Sequence, residues 1–405
     1  MPFPVLVTYI VNLIRKSLQF EISSFASFIN FHDASKQAFS QARKKLSPQV
    51  FILLNKKLIT EFYSDNEIKT FKGLRLLAVD GSTIRLPNSD ELYNSFGSHS
   101  KKGSVPLAKT SVLYDVLNHL TLHATLTPYR TSEKAMAMEH FEELQVLDNE
   151  ITGADYKDLL IFDRGYPSHF QMFFLQSRKK HFLFRVSDSI GEVKNVIESG
   201  NRDAVIDIVI TKRKLNYMPD FAKHSINLEN KNIKVRVAIF DLSSGEKEIL
   251  LTSLIDQKEF TYDDLFALYA KRWDVEEHYK LYKCIAEIEN FSGESKISVE
   301  QDFYATIFTC NAASLLAQEA QEELDLASID KKVKYTYKIN RNLLIGTIKN
   351  EILDIFLGDQ DLEKYCEKLK KRLKRSLVAV RPGRSYDRTP PYIKDCRHTI
   401  HKNCL

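Results

Sequence analysis

The spacing of apolar and polar positions divides the chain into segments of different texture. Residues 1–70 carry helical spacing. Their apolar start, PFPVLVTYIVNLI, is too short to span a bilayer and follows no positive segment. It fits neither an anchor nor a signal peptide and is read as a core helix. In SKQAFSQARKKL (35–46), Ala38, Phe39, Ala42 and Leu46 form an apolar side. Lys36, Gln37, Ser40, Gln41, Arg43 and Lys44 form the other, and Asp33 or Ser35 is placed to cap the start. That polar side mixes Lys and Arg, which suit phosphates, with Gln and Ser, which suit base edges. It is compatible with a DNA-recognition helix and with an ordinary solvated face.

From residue 71 strand spacing takes over. LRLLAVDGSTIRLP (74–87) predicts a buried strand, a tight turn at Gly81 and a second short strand. SVLYDVLNHLTLHATLTPY (111–129) predicts a hairpin turning near Asn118. TSEKAMAMEHFEELQVL (131–147) opens on a Ser-and-Glu capping signal and predicts a helix. DLLIFDRGYPS (158–168) repeats the first theme of an apolar strand, an aspartate and then a glycine. A helix over 168–180 and a strand at HFLFRVS (181–187) follow. Between 188 and 248, IDIVITKRKL and NIKVRVAIFDL are separated by polar loops and predict a β-rich insertion. EILLTSL (248–254) resumes a core strand, and FTYDDLFALYAKRWDVEEHYKLYKCIA (260–286) predicts one long helix. Further helices lead to a Pro- and Arg-rich end, VRPGRSYDRTPPY, and no internal repeat is visible.

Composition changes this picture in three places. A chain of 405 residues exceeds the usual size of one core, so more than one domain is expected. The balance of 43% hydrophobic and 27% charged residues suits a soluble globular protein, and five irregularly spaced cysteines give no disulfide framework, which points to a reducing compartment. The net charge of +5 hides an asymmetry: from Lys364 onward 13 Lys and Arg stand against 3 Asp and Glu, leaving the rest of the chain acidic. A polyanion-binding tail and a solvated terminus both fit that excess. The terminal CRHTIHKNC holds Cys396, His398, His401 and Cys404 but meets no familiar zinc-finger spacing.

Candidate chemistry lies in carboxylates. Two apolar strands end in an aspartate, at Asp80 and Asp163. Such a group is costly to bury unless it is paired or metal-bound, although a single one also serves as a turn-former or helix cap. Sites in mixed α/β folds gather at strand ends. Downstream, YAKRWDVEEHYKLYK (269–283) sets Tyr269, Arg272, Glu276 and Lys283 in one stripe about 60° wide at about 100° per residue, with Lys280 on the same side. Asp80, Asp163 and Glu276 together suit a pair of magnesium or manganese ions, which take oxygen ligands. Two such ions about 4 Å apart can activate water and stabilise a leaving 3′ oxygen in phosphodiester cleavage. Arg272, Lys280 and Lys283 then offer cations to phosphates, and Tyr269 offers a hydroxyl to a phosphate or to Glu276. A salt-bridge ladder on a solvated face is the alternative for the helix taken alone.

The spacing Y-x2-R-x3-E-x6-K at Tyr269, Arg272, Glu276 and Lys283 resembles the Y-R-E-K signature of bacterial DDE-type insertion-sequence transposases, the insertion sequence 4 family. LLAVDGSTIRLP is similar to that family's first catalytic aspartate strand, LLIFDRGYPS to its second, and SKQAFSQARKKLSPQVF to its N-terminal DNA-binding segment. The resemblance runs from about residue 30 to about residue 320. It implies an α/β fold with a ribonuclease-H-like mixed-sheet core in two parts, 71–187 and 249–320, interrupted by a β-rich insertion at 188–248. A helical N-terminal DNA-binding region (1–70) and a helical, basic C-terminal region with a tail (321–405) flank that core.

The resemblance further implies that Asp80, Asp163 and Glu276 are catalytic and hold two Mg2+ ions, for which Mn2+ can substitute. Tyr269, Arg272 and Lys283 are implied to contact transposon-end phosphates. Lys280, Lys36, Gln37, Ser40, Arg43 and Lys44 are added as DNA contacts from the residue pattern. The implied activity is cut-and-paste DNA transposition on terminal inverted repeats and target DNA, by a cytoplasmic homodimer on DNA with no membrane association. A nuclease without strand transfer and a non-catalytic DNA-binding descendant are the rival readings. Some family members carry a tryptophan in the insertion that stabilises a flipped base. The single tryptophan here is Trp273, beside Arg272, so either cleavage does not pass through a hairpin or an aromatic such as Tyr217 takes that role.

Overall fold

The helical spacing of the N-terminal segment is realised as α1 (Phe3–Val11), α2 (Leu18–Phe28), α3 (Lys36–Arg43) and α4 (Gln49–Asp65). The computed structural model describes residues 1–380 apart from 13–16, 31, 33, 66–67, 100–104, 152–155, 189, 210, 212–231, 243–244, 329–334 and 358–360. Asp33, Tyr217 and the Cys/His cluster at 396–404 lie outside the described residues. Helix α1 is a core helix, with Leu6, Tyr9, Ile10 and Val11 buried. Helix α3 starts at Ser35, whose hydroxyl accepts the Ala38 N–H.

The strand-spaced segment follows as β1 (Leu74–Arg85), α5 (Asp90–Phe96), β2 (Leu107–Asp115), β3 (Leu120–Pro128), α6 (Glu133–Glu150), β4 (Lys157–Phe162), α7 (His169–Ser177), β5 (His181–Val186), α8 (Gly191–Glu198), β6 (Asp203–Val209), β7 (Asn232–Asp241) and β8 (Lys247–Thr252). These strands form one mixed sheet in the order β3-β2-β1-β4-β5-β8-β7-β6. Strands β1 to β3 meander antiparallel, β4 and β5 run parallel to β1, and β8, β7 and β6 continue antiparallel. The central strands are mostly apolar because helices cover both faces: every residue from Leu74 to Val79 is buried, and the one charge among them, Arg75, pairs with Asp158 on β4. Leu76, Ala78, Leu159, Ile161, Leu183 and Leu250 face one core. Leu77, Val79, Leu160, Phe162, Phe184 and Leu251 face the other, as the two-residue period of a strand requires.

One predicted feature of this part is corrected. Gly81 does not turn the chain; β1 runs through it and pairs it with Ser111. A Cβ there would stand 3.4 Å from Tyr166 Oη and 3.5 Å from the Thr110 carbonyl, ordinary contact distances, so the strand passes through this position without relying on glycine for space. The stretch 188–248, predicted as a β-rich insertion, contributes two strands where it is described. It opens with α8, and β6 and β7 extend the main sheet past β8. The reason is shared burial: Ile208, Val235, Val237 and Ile239 sink into the same core as Leu160 and Phe184. A smaller correction concerns α6, where Ser132 occupies the N-cap position but makes no capping bond.

The remaining elements are α9 (Tyr262–Ala270), α10 (Trp273–Lys280), a π-helical turn (Leu281–Ile285), α11 (Lys296–Ser328), β9 (Thr336–Ile339), α12 (Arg341–Leu357), α13 (Leu362–Leu373) and β10 (Leu377–Val380). The single helix predicted over 260–286 is therefore three pieces. Around residue 272 the bonds tighten to three-residue spacing, Arg272 N–H to the Tyr269 carbonyl at 2.9 Å and Val275 N–H to the Arg272 carbonyl at 3.1 Å. Helix α11 crosses the predicted boundary at residue 320, and β9 and β10 pair antiparallel inside the region predicted as helical. Among the described residues no helix is long and apolar enough to cross a membrane.

Candidate active site

Strand pairing brings the two aspartates to one place. Val79 on β1 is in register with Phe162 on parallel β4. The next residues, Asp80 within β1 and Asp163 just past the end of β4, therefore lie side by side where β4 stops, near a strand end of the kind at which α/β folds build their sites. Glu276 arrives on α10, which is tied to β1 by Tyr279 Oη donating to the Asp80 carbonyl at 3.0 Å. The charges feel one another. Burial pushes the Asp80 carboxyl up to about 6, held back by the Gly81 N–H and by Arg272, with Glu276 and Asp163 adding to the rise.

The polar stripe of the signature helix is neither a solvated ladder nor an open phosphate edge. Tyr269 Oη donates to Asp163 Oδ1 at 3.1 Å, Arg272 Nε donates to Tyr269 Oη at 3.2 Å, and Arg272 Nη2 donates to Glu276 Oε1 at 2.8 Å. Tyr269 and Arg272 are each 2% exposed. A hydrogen-bonded chain thus joins the second aspartate to the glutamate. The Arg272 guanidinium also lies 5.1 Å from the Trp273 ring, and its Nη1 is buried with no hydrogen-bond partner among the described residues. Trp273 itself is 46% exposed. Lys283 Nζ donates to the Thr83 carbonyl at 2.7 Å, and burial pulls this lysine below its ordinary range. Lys280 is exposed and pairs with Glu277.

One predicted DNA contact is removed. Arg43 sits four residues after buried Phe39 and so on the same side of α3, and it is buried. Its Nε donates to Gln301 Oε1 at 2.7 Å, its Nη1 to Ser292 Oγ at 2.7 Å, and its Nη2 to Asp302 Oδ1 at 2.8 Å. Lys36, Gln37 and Lys44 remain exposed, and half-buried Ser40 donates to the Lys36 carbonyl.

Three polar groups near the site were not among the sequence candidates. Arg185 on β5 lies 3.9 Å from Asp163 Oδ1 and 3.4 Å from Glu248 Oε1. Burial raises the Glu248 carboxyl, opposed by Arg185, Arg272 and Arg164. Glu133 pairs with Lys109 at 3.1 Å, and its Oε2 lies 3.1 Å from where a Cβ on Gly165 would stand. The sequence signal for the first two was a charge in an apolar strand, Arg185 in HFLFRVS and Glu248 opening EILLTSL.

Asp80, Asp163 and Glu276 offer an all-oxygen donor set, which suits a hard divalent cation. As placed, Arg272 and Tyr269 hold two of these carboxylates. No group of three His, Cys, Asp or Glu side chains among the described residues is arranged to hold an ion.

Residues 71–312 match the family described as the transposase DDE domain. That is more than half of the chain, which therefore belongs to this family, and its likeness is to bacterial insertion-sequence members. Two similar proteins come from Escherichia coli K12. The putative transposase InsZ is 26% identical over 174 residues, 41% of this chain and 54% of that protein. The transposase InsG for insertion sequence element IS4 is 23% identical over 282 residues, 68% of this chain and 59% of that protein. The chain thus spans little more than half the length of either relative. Among solved structures, the piggyBac transposase synaptic complex with hairpin DNA is 12% identical with a TM-score of 0.45, over 96% of this chain and 78% of that one, a likeness too loose to bear on function.

Proposed function

We propose that the chain is a metal-dependent DNA transposase with Asp80, Asp163 and Glu276 as its catalytic carboxylates. The observation that carries this reading is the convergence, where β4 ends beside β1, of the two aspartates and the signature-helix glutamate, with Asp163 and Glu276 linked through Tyr269 and Arg272. The arrangement of β1 to β5, an antiparallel meander with two parallel strands beside it, supports a ribonuclease-H-like core. When bound, divalent ions held by the three carboxylates, Mg2+ or Mn2+ in its place, supply Lewis-acid activation of water and neutralise charge on the leaving 3′ oxygen.

The chain's own side chains do the rest. Arg272 competes with the ions for Glu276. Released from that carboxylate it presents Nη2 as well as Nη1 to a phosphate, as a planar fork suited to two oxygens. Tyr269 keeps Asp163 in place, and Lys283 and Lys280 add positive charge along the same helix. Attack by water breaks the bond between phosphorus and the 3′ oxygen at each transposon end, and the freed 3′ hydroxyl then attacks a target phosphodiester in line, displacing the target strand's own 3′ oxygen. Lys36, Gln37, Ser40 and Lys44 with the basic C-terminal region bind the terminal inverted repeats, and a homodimer pairs the two ends. Asp80→Asn and Glu276→Gln are each expected to reduce strand cleavage of end-containing DNA in Mg2+ to background. Wild-type cleavage in either variant sinks the reading, and cleavage without joined products in the wild type reduces it to a nuclease.

A further inference from the structure

Past the last β1–β4 pair, the Asp80 carbonyl is met by side chains from two other elements. Ser111 Oγ on β2 donates to it at 3.1 Å, and Tyr279 Oη on α10 at 3.0 Å. Ser111 Oγ lies 2.9 Å from His140 Nε2 on α6, and His140 Nδ1 lies 2.8 Å from His123 Nδ1 on β3. Ser111 and His140 are wholly buried, and the chemistry proposed above uses neither of them.

The direction of this chain is set by its end. A carbonyl only accepts, so the Ser111 hydroxyl proton points to Asp80. His140 Nε2 must then be the donor to Ser111. As a neutral ring with one N–H, His140 accepts at Nδ1 from the Nδ1–H of His123. Neutrality follows from the surroundings: burial holds His123 down to about 4 and His140 well below the ordinary histidine range, with His123 adding to the latter. Each donor therefore has an acceptor, and both tautomers are fixed.

We propose that Ser111, oriented by His140 and His123, is a positioning residue for the first metal-binding carboxylate, and that with Tyr279 it braces the Asp80 peptide so that the side chain meets a divalent cation already oriented. The inference rests on the metal-site reading above. The brace joins β2, β3, α6 and the helix of Glu276 to one peptide beside the end of β4. Partners standing behind a metal ligand in this way change metal affinity by about 10–100-fold.

The test is titration of Mn2+ alone into the full chain, followed by the paramagnetic resonance of the free ion, with thermal melting as the check on folding. Wild type is expected to bind and Asp80→Asn to lose binding. Ser111→Ala is expected to bind about 10-fold or more weakly, and Ser111→Thr, which keeps the hydroxyl, to recover. A residue that merely filled space would give no such rescue. Should Ser111→Ala fail to fold, Tyr279→Phe removes the other hydroxyl and is expected to weaken Mn2+ in the same sense. Wild-type affinity in a folded Ser111→Ala, or in Tyr279→Phe where that variant is needed, overturns the brace and leaves the metal site standing. Absence of Mn2+ binding in the wild type, or unchanged binding in Asp80→Asn, overturns both.

Discussion

Arg43 and Arg272 are both buried arginines that the sequence offered to DNA, and their hydrogen bonds separate them. Arg43 donates from Nε, Nη1 and Nη2 to Gln301, Ser292 and Asp302. A guanidinium so fully engaged holds α3 against α11 and has little left for a ligand. Arg272 donates from Nε to Tyr269 and from Nη2 to Glu276, and its Nη1 has no hydrogen-bond partner among the described residues. Arg43→Ala removes a buried ion pair with Asp302 and leaves that carboxylate with Ser292 alone, and is expected to cost about 3 kcal/mol in urea unfolding. Lys36→Ala and Lys44→Ala, on the exposed face, are expected to stay within about 0.5 kcal/mol of wild type while weakening DNA binding. A stable Arg43→Ala with reduced DNA affinity would return that residue to the DNA face.

Helix α9 begins with a capping box in which the Thr261 hydroxyl accepts the Asp264 N–H and the Asp264 carboxylate accepts the Thr261 N–H at 2.7 Å. Thr261→Ala is expected to cost about 1 kcal/mol in thermal or urea unfolding, whereas Thr261→Ser keeps most of the cap. This start is legible in FTYDD. The break at the other end is not, because YAKRWDVE contains neither Gly nor Pro and every residue tolerates a helix. Tight three-residue bonds at 272 settle it, and they carry Arg272 inward onto Tyr269 and Glu276. Gly81 misled in the opposite direction. Glycine signals a turn locally, but here pairing with Ser111 on β2 carries the strand straight through it.

For the molecule as a whole, basic charge collects at the C-terminal end, and DNA binding should register it. Removing the residues after Arg381 takes away Arg384, Arg388, Lys394, Arg397 and Lys402. Each phosphate left without its cation reduces the steepness of log affinity against log salt by about 0.9. Weaker binding with a flatter slope is the expected outcome, and an unchanged slope would make the tail a solvated terminus. Helix α11 runs through the boundary predicted at residue 320, and β7 and β6, from the stretch predicted as a β-rich insertion, lie at one edge of the eight-stranded sheet.

The sequence by itself determined the strand that carries Asp80 and the one that ends just before Asp163, the helix carrying Glu276, the N-terminal helices and the family. These are local patterns: continuous apolar runs, a period of 3.6, and fixed spacing along one helix. Tertiary structure decided which polar groups meet. The Asp163–Tyr269–Arg272–Glu276 chain, the approach of Arg185 to Asp163 and Glu248, the burial of Arg43 against α11 and the brace behind Asp80 all join residues far apart in sequence. Side-chain type and spacing carry no record of which distant partner will satisfy a buried donor. That partner is chosen when the sheet closes, because only then is water removed and every buried polar atom obliged to find one.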